Sequence, residues 1–264
     1  MTALILLAHG SRHSETKPVL EEVVAHVREK MPLTRLDAPS RIRLAWLDLD
    51  EPSLDTVCAE VAAAGETHAL AVPLLFTDAF HSRVDVPEQV AHCNRHGVDI
   101  TVAAGLGLGD GTKRAVVKRI IEAAENASFS WPVDALVMGV GSSDEDANAA
   151  VHQFAARLDG MLPGHVSAAF VVGPEKIKGA DAVAAAQQRA AERGRGLVVV
   201  PLFTAPGLLW DRVVDTGVSA GIGAGTGTSA GQVAFGEPLA ELLAPIVCCR
   251  WDSRAAYADV PVVA

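Results

Sequence analysis

His9 and His81 are the two side chains in this sequence best suited, by type and place, to do chemistry. Each follows an apolar run without polar alternation, ALILLA at 3–8 and ALAVPLLF at 69–76. Such runs read as parallel strands covered on both faces. In open α/β sheets, ligands bind just past the carboxyl ends of the strands, so both imidazoles are expected at one ligand-facing edge. Two imidazoles there can hold a borderline divalent metal. With an unperturbed pKa of about 6.5 they also accept protons near neutrality. Asp48, closing the segment LAWLD, is expected to point into the same cleft as a third ligand or proton acceptor. Its neighbours Asp50 and Glu51 are expected to cap the helix that follows.

Gly10, Ser11 and Arg12 occupy the turn from the first strand into a helix. Backbone N–H groups in such a turn favour anions, and Ser and Arg add donors for a carboxylate or phosphate. The plain alternative for this trio is turn and capping chemistry. Arg83 is a second anion-binding candidate, and Asp85 is placed to orient His81 or to cap the helix opening at Pro87. His92 and His96 stand four apart on one expected helix, but no zincin glutamate follows His92, so a solvated face is the reading. GLGLGDG at 105–111 carries Asp110 where a dinucleotide fingerprint needs its last glycine. No P-loop and no GxSxG nucleophile elbow occurs.

The elements that must position these residues alternate strand and helix. Strands are expected at 3–8, 41–49, 67–76 and 99–106, with helices at 15–31, 51–65, 87–97 and 112–127. Pro18 falls in the first turn of its helix, where proline is tolerated, and Gly65 and Gly97 end theirs. The cycle then restarts at Asp134: DALVMGVGSSDEDANAAVHQF repeats the order of ALILLAHGSRHSETKPVLEEV, and PLFTAPGLLWDRV echoes PLLFTDAFHSRVDV. Such alternation gives an α/β protein of two similar domains, each a small four-stranded parallel sheet flanked by helices and related by internal duplication. Their expected bounds are 1–127 and 128–264. Aligning Gly10-Ser11 with Gly141-Ser142 sets Val140 opposite His9, and Leu208 stands where His81 stood, so both loop histidines become apolar in the second copy. A packing role for the histidines does not explain that paired loss. Residues 215–231, DTGVSAGIGAGTGTSAG, have no counterpart and read as a flexible surface loop that could gate the cleft.

Composition narrows the function classes. Half of the 264 residues are hydrophobic and only 5% aromatic, which suits α/β architecture with a sizeable core. A formal charge of −10 argues against nucleic-acid binding. No apolar run reaches the roughly 18–20 residues that span a bilayer, and no signal-peptide pattern is visible, so a cytoplasmic protein with no membrane association is expected. Cys58, Cys93, Cys248 and Cys249 lack CxxC spacing and are expected as reduced thiols.

LLAHGSR together with PLLFTDAFHSRVDVP resembles the class II chelatases, specifically the sirohydrochlorin chelatase group. The resemblance covers nearly the whole chain through its repeat. It implies two α/β halves facing a cleft, the first carrying the functional histidines and the second a degenerate copy. It implies that Fe²⁺ or Co²⁺ is inserted into sirohydrochlorin, with the divalent metal as substrate, no organic cofactor and a tetrapyrrole as the small-molecule partner. His9 and His81 would bind the metal and take pyrrole protons, Asp48 would stand where the family often has a glutamate, and Gly10, Ser11, Arg12 and Arg83 would hold substrate. Ala79 replaces the family's usual glycine two before the histidine. A basic set of Arg12, Lys17, Arg41, Arg43 and Arg83 would meet the substrate's carboxylates in an otherwise acidic chain. A monomer is expected. A ferrochelatase leads, a cobaltochelatase comes second, and a non-catalytic metal or tetrapyrrole carrier is the rival from another class.

Overall fold

The apolar runs form two parallel four-stranded sheets in a computed structural model that describes residues 2–32, 38–77, 86–219 and 230–254. The first sheet contains β1 (Thr2–Ala8), β2 (Ile42–Trp46), β3 (His68–Pro73) and β4 (Asp99–Val102) in the order β2-β1-β3-β4. The second contains β5 (Asp134–Gly139), β6 (Val166–Phe170), β7 (Leu197–Pro201) and β8 (Val233–Phe235) in the matching order β6-β5-β7-β8. The expected fold class is thus the observed one. The central strands are buried on both faces, Leu4 to Leu7 at 0% exposure, which is why they carry no polar alternation.

In the first sheet, α1 (Thr16–Lys30) buries Leu20, Val23, Val24 and Val27, an i, i+3, i+4, i+7 stripe. On one face, α2 (Leu54–Ala63) and α3 (Val86–Cys93) join a cluster with Ile5, Leu7, Val57, Val61 and Val90. Ser53 caps α2, its Oγ accepting the Thr56 N–H at 3.2 Å. Arg95 and His96 follow α3 and bond Asp55 Oδ1 at the start of α2, at 2.8 Å each. Those bonds hold the Asp55 carboxyl below its ordinary range. His96 is therefore a fastener between the two helices, not half of a metal pair.

The second sheet is flanked by α5 (Glu145–Leu158), α6 (Gly179–Glu192) and α7 (Leu208–Ser219). The expectation of a loop from 215 fails for 215–219. Trp210, Val213 and Gly217 are buried at helical spacing, so α7 runs on to Ser219 despite its glycine. The suggested gate at 220–229 lies outside the described residues.

The compact units cut the chain differently from the repeat. One comprises residues 1–111 with 240–264, the other 112–239. The helix that follows β4, α4 (Asp110–Asn126), thus contributes most of its length to the second unit, where Arg119 Nε donates to the Pro238 carbonyl at 2.8 Å. Conversely α8 (Ala244–Asp252) packs with α1 in the first unit. Arg250 Nε donates to the Gly105 carbonyl at 2.9 Å, and its Nη2 to the Leu106 carbonyl at 3.0 Å. The glycine run that resembled a dinucleotide turn therefore seats the last helix: a Cβ on Gly111 would come 2.9 Å from Ile246. Among the described residues no helix is long and apolar enough to cross a membrane.

Candidate functional site

The strand order fixes where chemistry can occur in the first unit. From β1 the chain crosses to β2 on one side, and from β3 to β4 on the other, so the connections part company between β1 and β3. Crevices beyond the carboxyl ends at such a switch point are where open α/β sheets take ligands. β1 and β3 are hydrogen-bonded neighbours, with Leu7 opposite Pro73 and the Leu74 N–H donating to the Leu7 carbonyl at 2.8 Å. His9 leaves β1 at that edge and is half-buried. His81, Arg83 and Asp85 belong to the segment between β3 and α3 and lie outside the described residues.

His9 is tied to Asp48 through the backbone. The ladder between β1 and β2 extends past the strands, with the Leu47 N–H donating to the Ala8 carbonyl at 2.8 Å and the Asp48 N–H to the His9 carbonyl at 2.9 Å. Gly10 makes this approach possible. It has φ +103, and a Cβ there would lie 1.8 Å from the Asp48 carbonyl oxygen, so no other residue fits without moving one of the two loops.

The second strand was expected to run to residue 49, yet it stops at Trp46 because the chain turns sharply at Leu49, φ +63. Asp48 Oδ1 accepts the Leu49 N–H at 2.7 Å and steadies that turn, while the Asp48 side chain remains exposed at the sheet edge. Gln89 of α3 donates to the Leu47 carbonyl at 3.1 Å, a brace with no signal in the sequence.

The Gly10-Ser11-Arg12 turn spends part of its donor set internally. Asp50, expected as a helix cap, instead accepts the Ser11 N–H on Oδ2 at 3.0 Å. The capping work falls to Ser53, with Glu51 Oε2 accepting the Ser53 N–H at 2.8 Å. Ser11 Oγ accepts the His13 N–H at 3.1 Å, and Arg12 is exposed.

Of the other basic residues, Lys17 Nζ donates to the Glu51 carbonyl at 2.7 Å, and Arg43 Nε lies 3.7 Å from Glu60. Arg41 and Arg43 stand at the amino-terminal end of β2, a strand about 16 Å long. They are therefore excluded from the carboxyl edge where substrate was expected to meet them. Among the described residues no three His, Cys, Asp or Glu side chains converge as a metal site.

The second unit repeats the same backbone with apolar side chains where His9 and Asp48 stand in the first. The Val172 N–H donates to the Val140 carbonyl at 2.9 Å, the counterpart of the Asp48–His9 bond. Gly141 has φ +97, with its virtual Cβ 2.0 Å from the Val172 carbonyl oxygen. Ser142 Oγ accepts the Asp144 N–H at 3.0 Å, as Ser11 does for His13, and Asn148 Oδ1 takes the Ser142 N–H in place of Asp50. Val140 thus stands for His9 and Val172 for Asp48. The first equivalence is legible in the sequence; the second emerges only from the paired loops.

The comparisons with known proteins agree with this architecture. The sirohydrochlorin ferrochelatase of Bacillus subtilis is 28% identical over 170 residues, covering 61% of this chain and 59% of that relative's length. The sirohydrochlorin cobaltochelatase of Sulfolobus acidocaldarius is 24% identical over 127 residues, 48% of this chain and 93% of that shorter protein. In structure, SirB from Bacillus subtilis with Fe³⁺ superposes with a TM-score of 0.70 at 22% identity, covering 98% of this chain and 97% of that one. The CbiX described as the terminal enzyme for biosynthesis of sirohaem in denitrifying bacteria gives 0.61 at 19% identity, covering 94% and 98%. The CbiX family model matches residues 3–123 and again 134–233, once on each half of the repeat, and the chain belongs to that family.

Proposed function

We propose that this chain is a sirohydrochlorin chelatase that inserts a divalent metal, Fe²⁺ foremost, into the macrocycle to form sirohaem. The observation that carries the reading is the His9-Gly10-Ser11 turn, placed at the switch point of the sheet and bonded to the Asp48 loop, in a chain of the CbiX family. Insertion requires a metal brought to the ring and two pyrrole N–H protons removed. Neutral imidazoles at His9 and His81 serve both needs in turn, first as metal ligands and then as proton acceptors. Asp48, exposed and bonded through its N–H to the His9 carbonyl, is assigned the transfer of those protons to solvent. Arg12 and Arg83 are assigned to the substrate's carboxylates, with Gly10 and Ser11 shaping the turn. The metal is a substrate, and the reaction as read needs no organic cofactor. Both halves of the repeat lie on one chain, which favours a monomer, and a cytoplasmic location is part of the reading.

A second reading, cobalt insertion on the route to corrinoids, is favoured by the half-length relatives named as cobaltochelatases. Two borderline divalent ions differ too little for a histidine pair to separate them. The test is anaerobic absorbance of sirohydrochlorin with Fe²⁺ and, separately, Co²⁺, for wild type, His9→Ala and His81→Ala, against the reaction without enzyme. Multiple turnover that collapses in both variants is expected, and the ratio of rates ranks the metals. Pigment binding without acceleration for either metal would leave a carrier and end the enzyme reading.

A further inference from the structure

We infer that the second unit carries a seat for the tetrapyrrole: an apolar ledge of Val140, Val172, Ile177 and Leu208, edged by Lys176 and Lys178. The inference rests on the chelatase reading and adds where this polycarboxylated ring is held. Eight large apolar side chains are exposed among the described residues, and these four are among them, at 41, 39, 57 and 53%. All four follow the carboxyl ends of adjacent strands, since β5 lies between β6 and β7. Val140 and Val172 are joined by the 2.9 Å backbone bond that in the sister half joins Asp48 to His9. Duplication thus kept the loop geometry and exchanged the polar side chains for apolar ones that are left facing water. Exposed apolar side chains gathered at one edge mark a binding surface.

The chemistry of the edge selects the occupant. The β6–α6 loop runs from Val171 to Lys178 and is closed on itself by Lys178 Nζ donating to the Gly173 carbonyl at 2.7 Å. It presents Lys176 and Lys178, both exposed, beside Val172 and Ile177. A flat ring with carboxylates on its rim needs this combination of apolar surface flanked by cations. In the first unit, Arg41 and Arg43 stand at the far end of their strand. That leaves Arg12 and Arg83 for some of the carboxylates, and the rest to Lys176 and to the N–H groups that Lys178 does not spend on Gly173.

The test titrates sirohydrochlorin anaerobically, by absorbance, into wild type, Val140→Asp/Val172→Asp, Val172→Leu, Lys176→Glu and Lys178→Glu. Parallel titrations use Co²⁺ alone by calorimetry, and sedimentation follows self-association. The double aspartate should raise the Kd for sirohydrochlorin roughly tenfold or more and leave the Co²⁺ Kd unchanged, whereas Val172→Leu should retain wild-type affinity. Each lysine reversal should weaken binding about threefold to tenfold, with the difference fading at high salt. Wild-type turnover with unchanged sirohydrochlorin affinity in all variants would overturn the ledge but leave the chelatase reading intact. Loss of a self-associated form with sirohydrochlorin binding untouched would also overturn it, assigning the surface to a second copy. A wild type that neither binds nor turns over sirohydrochlorin would remove the underlying reading itself.

Discussion

Gly10→Ala isolates the contact between the His9 turn and the Asp48 loop. At φ +103 an alanine pays about 1–2 kcal/mol for its backbone conformation alone. Its Cβ would start 1.8 Å from the Asp48 carbonyl oxygen and must withdraw to about 3.0 Å, so the loops separate by about 1.2 Å. The Asp48 N–H to His9 carbonyl bond, 2.9 Å in the native turn, then passes out of range. Its loss adds about 1 kcal/mol, for a total of about 2–3 kcal/mol. Metal ligands tolerate displacements of only about 0.2 Å, so on the proposed role of His9 as a ligand Co²⁺ affinity should fall tenfold or more, about 1.4 kcal/mol.

Two controls separate strain from site. Gly65→Ala, at φ +80 with nothing within 4 Å, should cost about 1 kcal/mol and leave Co²⁺ binding intact. Gly141→Ala repeats the clash in the second unit, against the Val172 carbonyl oxygen at 2.0 Å. It should match Gly10→Ala in stability loss yet keep Co²⁺ affinity. Denaturant unfolding and Co²⁺ calorimetry on all three decide the matter. Gly10→Ala binding Co²⁺ within about twofold of Gly65→Ala would refute the geometric reasoning.

Asp48→Asn keeps an acceptor for the Leu49 N–H and should preserve stability while lowering kcat about tenfold; Asp48→Ala should lower both, and equal kcat for Asn and wild type would remove the proton-relay role. Leu49→Gly relieves an exposed side chain at φ +63 and imitates Gly173, φ +116, at the matching place. A gain of about 0.5–1 kcal/mol in denaturant unfolding is expected. Asp134 tests pH linkage. Burial pushes its carboxyl up, but bonds from Arg195, the His165 N–H and Arg193 outweigh that and hold it below the ordinary range. A carboxyl lowered in the folded state contributes stability above its unfolded pKa, about 3.9, and loses it as pH falls through the folded value. Asp134→Asn should cost about 2–3 kcal/mol at pH 7, and the gap to wild type should close in melts below about pH 4; a gap independent of pH would assign the loss to packing.

The sheets were legible because parallel strands buried on both faces must be written as unbroken apolar runs, and ALILLA or GLVVV allow little else. The histidine turn was legible because Gly10 and Gly141 repeat a requirement of the backbone that no other residue meets. What stayed hidden was contact between segments far apart in sequence. Nothing in LDLDEPS distinguishes Asp50, which holds Ser11, from a helix cap, since a carboxylate serves either partner equally well. Arg41 and Arg43 looked usable for substrate because charge carries no information on which end of a strand faces the ligand. The helical extension to Ser219 was masked by Gly217, whose low intrinsic propensity yields to the packing of Trp210 and Val213.

The lodging of α8 against α1 and the Gly105–Leu106 carbonyls has a consequence for how the protein is made. The first unit needs residues from beyond 240 for its completion, so on the ribosome its core strands emerge well before the helix that covers them. Synthesis at about 5–20 residues per second leaves that sheet without its final cover for several seconds. Meanwhile the second unit, whose residues run uninterrupted from 112 to 239, has all its parts in hand first. A cut at the internal duplication would part the first unit from α8 and the second from the residues of α4 that belong to it, so each piece is expected to be less stable than the whole chain.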